Sequence, residues 1–443
     1  MAAKTGIARV VWLSVLFIWW GYLVPAPAQT YYFTTIAGQA GVPGYADGTN
    51  NQAQFNRPSE VTLDAAGALY VADTLNNTIR KLTPVGHDWV VSTVAGLPGV
   101  IGSQDGATNQ AEFYRPNGIA QDAAGNLFIA DHNNDTLRKL APTGATWIVS
   151  TIAGLAGTSG TNDGFNTNAL FRIPTGITVD TNGNIFVADT ANQSIRKAAA
   201  VGTDWSVTTI AGAPMDYGFQ DGLNDAALFD YPYGIASGPD DALYVTDAGN
   251  NALRRIAPVT GGWRTTTIAN SSGNIGHSDG AALQATFNTP NGLILDSATN
   301  IFVTDQSNDT IRKLTYNGRG WDVSTIGGVA GVRGARDGAG TNALFYLPWG
   351  IAVDRAGALY IADAYNHTIR RGVPLITLQV AVSASQLTVT WPASPAGFTL
   401  ESSPSLSAGA TWIAITDGIV LVGNQYQFTA PASGWAMYYR LKR

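Results

Sequence analysis

The chain contains no cysteine, so no disulfide bond can staple it and no lipid-modified cysteine can anchor it. Its 443 residues include only four histidines and only 13% charged residues. The one G-x-S-x-G match, residues 276–280, lies in a segment between repeats and not at the strand-to-helix turn of a nucleophile elbow, and no glycine-rich phosphate loop is present. Long helical periodicity is also missing after the first thirty residues. Thiol catalysis is therefore excluded, and the common serine-hydrolase and nucleotide-binding classes are disfavoured.

The composition instead favours an all-β fold. Fifty glycines and twenty prolines are typical of a chain with many tight turns between short strands. A hydrophobic content of 45%, with 12 Trp, 17 Tyr and 15 Phe, supplies bulky side chains for a large core. The formal net charge of −6 argues against a nucleic-acid partner, although a local basic patch is compatible with it.

Residues 1–28 have the pattern of a secretory signal peptide. Lys4 and Arg9 precede the apolar run 10–24, and the small-residue segment 26–28 offers a cleavage site. We therefore predict cleavage before Gln29 and a secreted or periplasmic protein with no membrane contact once the leader is removed. An uncleaved membrane anchor is the alternative, because the run is close to the minimum length of a spanning helix.

One pattern occurs six times at a constant spacing of 58 residues. It is seen in residues 125–139, GNLFIADHNNDTLRK, and a period of this size indicates stacked units that share a core. Each unit reads as four short strands, which in the second unit are 117–122, 126–130, 136–140 and 147–152. We predict a six-bladed β-propeller of four-stranded antiparallel blades over residues 29–373. The repeated aspartates are Asp73, Asp131, Asp189, Asp247, Asp305 and Asp363.

The two ends of the repeat region predict how the propeller closes. A tryptophan marks the fourth strand of successive units, but the step after the last one lands on Gln379. One step back from the first lands on Tyr31. We therefore predict that residues 31–38 supply the fourth strand of the last blade, so that no open edge remains. The tryptophans are Trp89, Trp147, Trp205, Trp263 and Trp321.

The unit resembles a known repeat. A Pro-x-Gly-Ile segment, an apolar run that ends in Ala-Asp and an Asn-x-Thr-Ile-Arg segment resemble the NHL repeat, and residues 31–373 resemble a six-bladed NHL-type propeller. The resemblance implies the fold but no single function. Propellers of this kind and their relatives include RNA-binding and protein-binding platforms, sensor domains of bacterial membrane kinases, lyases and lactonases.

Residues 374–443 lack the repeat and are predicted to form a small β-sandwich-like module. Apolar and polar residues alternate over short segments that are separated by prolines and glycines. The last of them resembles the terminal strand of small modules at the C-termini of exported bacterial proteins. The predicted strands are 378–382, 386–391, 398–401, 411–415, 426–429 and 436–443.

Residues that occur in every blade are predicted to build the fold. The repeated aspartate and the asparagine three positions later suit a tight loop, because both side chains accept hydrogen bonds from nearby backbone N–H groups. The alternative to this structural role is that the six repeated aspartates together bind a cation. The arginine of each third strand is predicted to form a pair between blades. Five Asn-x-Ser/Thr sequons occur in the same loops and are interpreted as loop sequences rather than glycosylation sites.

Binding is predicted where the units differ, on the face of the loops and of the long return segments between blades. The residue after the repeated proline should surround the mouth of the central channel, with arginine and tyrosine residues beside it. Unconstrained surface positions are the alternative. The candidate binding residues are Tyr233, Trp349, Asn117, Asn291, Arg57, Arg115, Tyr231 and Tyr365.

The leading functional hypothesis is an exported, non-catalytic propeller that needs no cofactor and binds a protein, peptide or glycan. The alternative is a metal-dependent lyase or lactonase with its site at the channel mouth. That enzyme would use His132, His277 and His367 to hold a metal and activate water. A structural spacer that carries the C-terminal module is a third possibility, and the sequence predicts no oligomeric state.

Overall fold

The structure is a computed structural model that describes residues 29–144, 146–376, 378–383, 385–392, 398–405, 407, 410–422, 425–431 and 437–442. The signal peptide predicted for residues 1–28 lies outside these ranges, so its cleavage stays a prediction. The chain divides into a repeat unit, Thr30–Val373, and a smaller unit from Pro374 onward. Within the described ranges, no helix has the length and apolar character needed to cross a bilayer.

The described part of Thr30–Val373 folds into six antiparallel sheets, which are the predicted blades of a propeller. Each sheet contains the four predicted strands and, at its outer edge, a fifth strand of two residues that the sequence did not predict. The first strands line the axis; they are Pro58–Leu63, Pro116–Gln121, Pro174–Val179, Pro232–Ser237, Pro290–Leu295 and Pro348–Val353. The second strands are Leu69–Asp73, Leu127–Asp131, Ile185–Asp189, Leu243–Asp247, Ile301–Asp305 and Leu359–Asp363.

The outer strands complete each blade. The third strands are Thr78–Val85, Thr136–Thr143, Ser194–Val201, Ala252–Val259, Thr310–Tyr316 and Thr368–Pro374. The fourth strands of blades 1 to 5 are Asp88–Ala95, Thr146–Ala153, Asp204–Ala211, Gly262–Ala269 and Trp321–Gly327. The edge strands are Gly48–Thr49, Gly106–Ala107, Gly164–Phe165, Gly222–Leu223, Gly280–Ala281 and Gly338–Ala339.

Short 3-10 helices occupy two kinds of loop. One kind follows the second strand, and these helices are Thr74–Asn76, His132–Asn134, Thr190–Asn192, Gln306–Asn308 and Ala364–Asn366. The other kind follows the edge strand, and these helices are Asn50–Gln52, Asn166–Asn168, Asn224–Ala226 and Gly340–Asn342.

The propeller closes as predicted, because the N-terminal strand Tyr31–Ala37 is the fourth strand of blade 6. It lies between Thr368–Pro374 and Gly338–Ala339 in that sheet. Tyr31 and Phe33 are buried in the core between blades 5 and 6. First strands of neighbouring blades contact each other around the whole axis, including the pair from blades 6 and 1. Closure therefore leaves blade 6 with the same strand order as its neighbours.

Aromatic side chains join neighbouring blades. In blades 1 to 4 the fourth-strand tryptophan packs edge-on against the second-strand aromatic of the preceding blade, as Trp147 does on Tyr70 with centroids 5.7 Å apart. At the seam between blades 6 and 1, Trp89 contacts Tyr360 in the same way at 5.8 Å. Each such pair contributes about 0.5–1.5 kcal/mol beyond its buried area. The seam is thus packed like the three junctions among blades 1 to 4.

A buried arginine holds each blade together, as blade 3 illustrates. The Arg196 guanidinium lies 2.7 Å from an oxygen of the buried Asp189 and 2.8 Å from the half-exposed Asp163. Asp189 also accepts hydrogen bonds from the side-chain amide of Asn192 and from the backbone N–H of Arg172, each at 2.8 Å. All six blades repeat this arrangement, which confirms that the repeated Asp and Asn residues build the loops.

The predicted pairing of these arginines between blades is wrong, because both acids belong to the arginine's own blade. The repeated carboxylates are buried and engaged, so they do not gather around a cation. Asparagines of the sequons donate their amides to the same acids, for example Asn76 to Asp73 at 2.7 Å. Both observations agree with a structural role for the repeated residues.

The unit from Pro374 onward contains two sheets in its described residues. One has the strand order Gln379–Ser383, Gln386–Pro392, Gln425–Pro431 and Ile419–Val422; the other has the order Ile413–Ala414, Thr399–Ser403 and Tyr438–Lys442. Val389, Trp391 and Leu400 form a buried core to which both sheets contribute. This confirms a small β-sheet module. The strand Ile419–Val422 was not predicted, and the strand predicted at 411–415 is shorter in the structure, at Ile413–Ala414.

Candidate functional site

The turns after the second strands and the long return segments lie on one face of the propeller. The Asn76 amide, in a turn, donates to the Gly44 carbonyl in a return segment at 2.7 Å. Gly41, in the same segment, donates its N–H to the Asn366 carbonyl of blade 6 at 3.1 Å. These contacts recur around the axis, so the loops expected to carry the binding site do share one face.

A circle of six residues with left-handed backbone conformation surrounds the axis on this face. Each residue immediately precedes the first-strand proline of its blade and has a φ between 46° and 55°. Such angles are uncommon outside glycine and are costly for β-branched Ile173 and Thr289. We call this circle the rim; its members are Arg57, Arg115, Ile173, Tyr231, Thr289 and Leu347.

Hydrogen bonds between blades stabilise the rim. The N–H of each rim residue donates to a side chain of the preceding blade, as Arg115 does to Asn77 at 2.8 Å and Tyr231 to Gln193 at 2.6 Å. The remaining acceptors are Asp135, Asn251, Asp309 and His367. Each bond offsets part of the backbone strain and fixes the point from which a rim side chain projects.

At the seam the acceptor is His367, whose Nδ1 receives the Arg57 N–H at 3.1 Å. The imidazole must be neutral at Nδ1 to accept this bond. Burial lowers the pKa of His367, and the positive charge of Arg57 lowers it further. Of the six rim acceptors, His367 is the only histidine, so the seam alone depends on an imidazole that ordinary acidification protonates.

This geometry predicts that closure weakens in acid. Because the pKa of His367 is lower in the folded chain than in the unfolded one, its contribution is complete above pH ~6.5 and is lost as the pH falls through the folded-state value. Between about pH 7.5 and pH 5, the wild type should lose about 1 kcal/mol more of its unfolding free energy than His367→Asn. Urea unfolding at several pH values measures this difference.

Asparagine is a suitable replacement for His367, because Asn77 and Asn251 accept the rim N–H at the equivalent positions of other blades. His87→Asn, at an exposed hairpin, is the control and should keep the wild-type pH dependence. Parallel stability curves for the wild type and His367→Asn would contradict the assignment.

The other histidines do not join His367. His132 contacts Asn133 through its ring, and burial lowers its pKa. His277 is exposed in the return segment before blade 5. In the part of the chain that the structure describes, no group of three or more His, Cys, Asp or Glu side chains is arranged to hold a metal ion. The three histidines of the enzyme alternative belong to different blades, which spread their loops around the axis.

The candidates that follow the first-strand proline line the channel rather than an open surface. Asn117 and Asn291 are buried, with exposed fractions of 7% and 5%. The Asn117 amide is hydrogen-bonded to the hydroxyl of Tyr233, two blades away, and burial raises the pKa of Tyr233 to about 12. Trp349 is half-buried. These side chains meet inside the channel because the first strands converge on the axis.

The remaining candidates lie at the rim, and two of them are in contact. The Arg57 guanidinium stacks 4.1 Å above the ring of Tyr365 across the seam. Tyr365 in turn packs on Tyr346, with centroids 5.2 Å apart. Arg115 is exposed, and 54% of Tyr231 is exposed. Four of the eight predicted residues are therefore at least partly accessible on the loop face.

Sequence reasoning missed an apolar patch between blades 3 and 4. It contains Ile173, Met215, Tyr217 and Tyr231, whose exposed fractions are 39%, 54%, 72% and 54%. Met215 has a φ of 69° at a position where the other five blades have glycine. A methionine that is both strained and exposed suggests selection for function. Comparison of the repeats at this position could have found it.

Glu60 is a second departure from the repeat that the sequence interpretation did not use. The other five first strands have glycine here, and a Cβ on those glycines would approach atoms of the next blade within 2.2–2.5 Å. Glu60 is half-buried, and its Oε1 accepts the Val61 N–H at 3.1 Å. Burial raises the pKa of Glu60 to about 8. It places a single carboxyl group on the channel wall, beside the seam with blade 6.

Comparisons with known proteins agree with this architecture. The family model described as "NHL repeat" matches residues 171–198 and 345–371, in blades 3 and 6. Protein SUPPRESSOR OF QUENCHING 1, chloroplastic, of Arabidopsis thaliana is 28% identical over 298 residues, which cover 63% of this chain and 27% of that protein. NHL repeat-containing protein 2 of Bos taurus is 26% identical over 305 residues, which cover 61% and 40% of the two chains.

The chain thus spans less than half the length of these two relatives. Among solved structures, an auxiliary nutrient binding protein from Bacteroides ovatus has a TM-score of 0.56 and 17% identity, with 78% of this chain and 77% of that chain covered. That likeness concerns the fold alone. Together with the six blades and their closure, these matches support an NHL-repeat β-propeller.

Proposed function

We propose that this chain is an exported, non-catalytic propeller that binds a protein, peptide or glycan on the rim face. The observation that carries the proposal is the accessible set of arginine, tyrosine and methionine side chains at positions where the repeats differ. These residue types are enriched at protein interfaces and among the residues that dominate binding energy. The export proposal is supported by the leader-like pattern of residues 1–28.

The division of labour among the residues supports the same proposal. The side chains that all blades share are used within the fold: each repeated Arg, Asp and Asn is buried or hydrogen-bonded there. At the rim, hydrogen bonds fix the backbone of the variable residues, so the functional groups of their side chains stay accessible. Fixed anchor points of this kind reduce the entropy that is lost when a partner binds.

No observation on the described residues favours the enzyme alternative as a second function. An enzyme of that type would need off-repeat acids and histidines that meet near the axis. Glu60 is one such acid, but the candidate histidines lie in separate blades and form no metal-binding group with it. We therefore do not propose a catalytic role for the channel.

A photo-crosslinking experiment on the exported protein tests the proposal. The photoreactive residue p-benzoylphenylalanine replaces Tyr231 in one sample and Tyr316 in the other; their exposed fractions are 54% and 56%. Tyr316 is the last residue of the third strand of blade 5, at the opposite end of the blade from the rim. Irradiation in the host's exported fraction should give a specific adduct from position 231 only.

The captured partner then allows an affinity measurement. Tyr231→Ala should weaken its binding at least tenfold, which corresponds to about 1.4 kcal/mol, whereas Tyr316→Ala should change it less than twofold. Equal adducts from both positions, or equal losses in both alanine variants, would show that the rim is not the binding face.

A further inference from the structure

Three consecutive blades each place an arginine at the rim. Arg57 and Arg115 are rim members, and Arg172 directly precedes the rim residue Ile173. Arg115 and Arg172 are exposed, and Arg57 is half-buried. Within the described ranges, none of the three has a carboxylate within 4.0 Å, whereas the third-strand arginines each have two. We call Arg57, Arg115 and Arg172 the arginine arc.

Asp135, whose carboxylate lies beside the arc, is buried and hydrogen-bonded. Asp135 is 7% exposed; one of its oxygens accepts the Ile173 N–H and the other accepts the Ser159 hydroxyl. His132 lies near Arg115 and adds no negative charge. In blades 1 to 3 the exposed acids of the return segments, Asp47, Asp105 and Asp163, each pair with a third-strand arginine, and Glu60 and Glu112 are half-buried; in blade 4, Asp216 is exposed and Asp230 is half-buried. Among the described residues of blades 1 to 3, the arc therefore presents three positive charges without a salt-bridged carboxylate, in a chain whose formal net charge is −6.

The arc runs directly into the apolar patch between blades 3 and 4. One guanidinium nitrogen of Arg172 lies 3.4 Å from the Met215 sulfur. Beyond this contact lie Tyr217 and Tyr231, and beside it lies Ile173, each with more than a third of its surface exposed. Basic and apolar groups are thus adjacent on one accessible surface.

We propose that the partner on this face is an acidic polypeptide segment that also carries apolar side chains. Its carboxylates contact the arginine arc, where planar guanidinium groups can bind carboxylates through two parallel hydrogen bonds. Its apolar side chains cover Met215, Ile173 and Tyr217. This inference rests on the proposed binding function and specifies the chemistry of the partner.

The adjoining apolar patch distinguishes a polypeptide from other polyanions. Nucleic acids and acidic glycans offer phosphate or carboxylate groups to the arc, but they lack aliphatic side chains that would cover a methionine and an isoleucine. Their uniform negative charge would also be repelled by the acidic remainder of the surface. A segment with a few acids beside leucine- or phenylalanine-like residues satisfies both parts of the surface.

Selection from a random peptide library displayed on phage tests the inference with the mature chain. Peptides selected on the wild type should be enriched in Asp and Glu together with apolar residues. A fluorescein-labelled selected peptide should bind at least tenfold more weakly to Arg115→Glu and to Arg172→Glu. Arg319→Glu, at an exposed hairpin at the opposite end of the blade, makes the same change in net charge and should alter binding less than twofold.

Competition then identifies the class of ligand. A single-stranded RNA and polygalacturonate should each displace the labelled peptide only weakly, and binding should fall as salt rises. Selected peptides without acid enrichment, equal losses in all three variants, or tighter binding of either competitor would overturn the inference. If position 231 still crosslinks specifically but the selection, variant or competition results contradict the inference, the proposal of a binding face is kept and the proposal of an acidic partner is rejected. If the crosslink fails as well, the binding function fails with it.

Discussion

Arg196→Met is expected to lower the free energy of unfolding by about 3–5 kcal/mol, because it removes the cation from between two carboxylates. Asp189 is buried, so its negative charge would lose the partner that lies 2.7 Å away. Burial raises the pKa of Asp189 to about 6, while Arg196 and the Arg172 N–H act in the opposite direction. Methionine fills a similar volume, so the loss reports the uncompensated charge rather than a cavity.

The pH dependence of this variant provides an independent check. Without Arg196, the folded-state pKa of Asp189 rises further above the unfolded value, so the folded chain binds more protons than the unfolded one. Stability is then lost as the pH rises through the folded pKa. The deficit of Arg196→Met relative to the wild type should therefore be larger at pH 8 than at pH 6, as measured by urea unfolding.

Asp163→Asn is the matched control in the same blade. Asp163 pairs with the other end of Arg196, but its side chain is half-exposed, so its replacement should cost about 1 kcal/mol or less. A loss from Arg196→Met as small as that from Asp163→Asn would contradict the role assigned to the buried pair.

Much of the fold was predictable because the repeat has a constant period. Each blade offers the same strand pattern six times, and the missing tryptophan in the last unit pointed to Tyr31 as its substitute. The edge strands were not predictable, since two residues such as Gly48 and Thr49 carry no periodic signal. The sequence also did not reveal whether the buried arginines pair with acids of their own blade or of a neighbouring blade. This depends on which acids flank the third strand in space.

The candidate site was only partly predictable. Variation between repeats identified Arg57, Arg115 and Tyr231, which the structure places together on the rim. The same comparison shows Met215 and Glu60 in place of glycine, but without coordinates neither could be assigned to the rim or to the channel. Five of the six hydrogen bonds that hold the rim join residues 38 positions apart in different blades, the seam bond joins residues 310 positions apart, and no local pattern marks them.

Closure by the N-terminal strand gives the second large expected effect. Phe33 lies in the space provided by two glycines, Gly327 of blade 5 and Gly372 of blade 6: a Cβ on either would come within 2.6 Å of its ring. The equivalent positions in the other blades carry larger side chains, such as Ala95 and Leu82. The junction of blades 5 and 6 is therefore built to receive this ring, which also packs edge-on against Phe345 at 5.2 Å.

Phe33→Ala should lower the unfolding free energy by about 3–5 kcal/mol, because it empties a fully buried aromatic site. Thr34→Ala, on the partly exposed side of the same strand, should cost less than about 1 kcal/mol. Deletion of the segment Tyr31–Ala37 removes both buried aromatics and leaves the strand Thr368–Pro374 as an open edge. Its cost should approach the whole stability of a typical domain, about 5–15 kcal/mol, and abolish cooperative thermal unfolding.

A synthetic peptide that spans the deleted strand separates closure from a general folding defect. If blade 6 is completed by this segment, the peptide should restore cooperative unfolding to the truncated chain in a concentration-dependent way, since it binds only the folded state. The same peptide with Phe33→Ala should restore much less, because the space beside the two glycines stays empty. A truncated chain that unfolds at the wild-type temperature without peptide would contradict the closure of the propeller by its N-terminal strand.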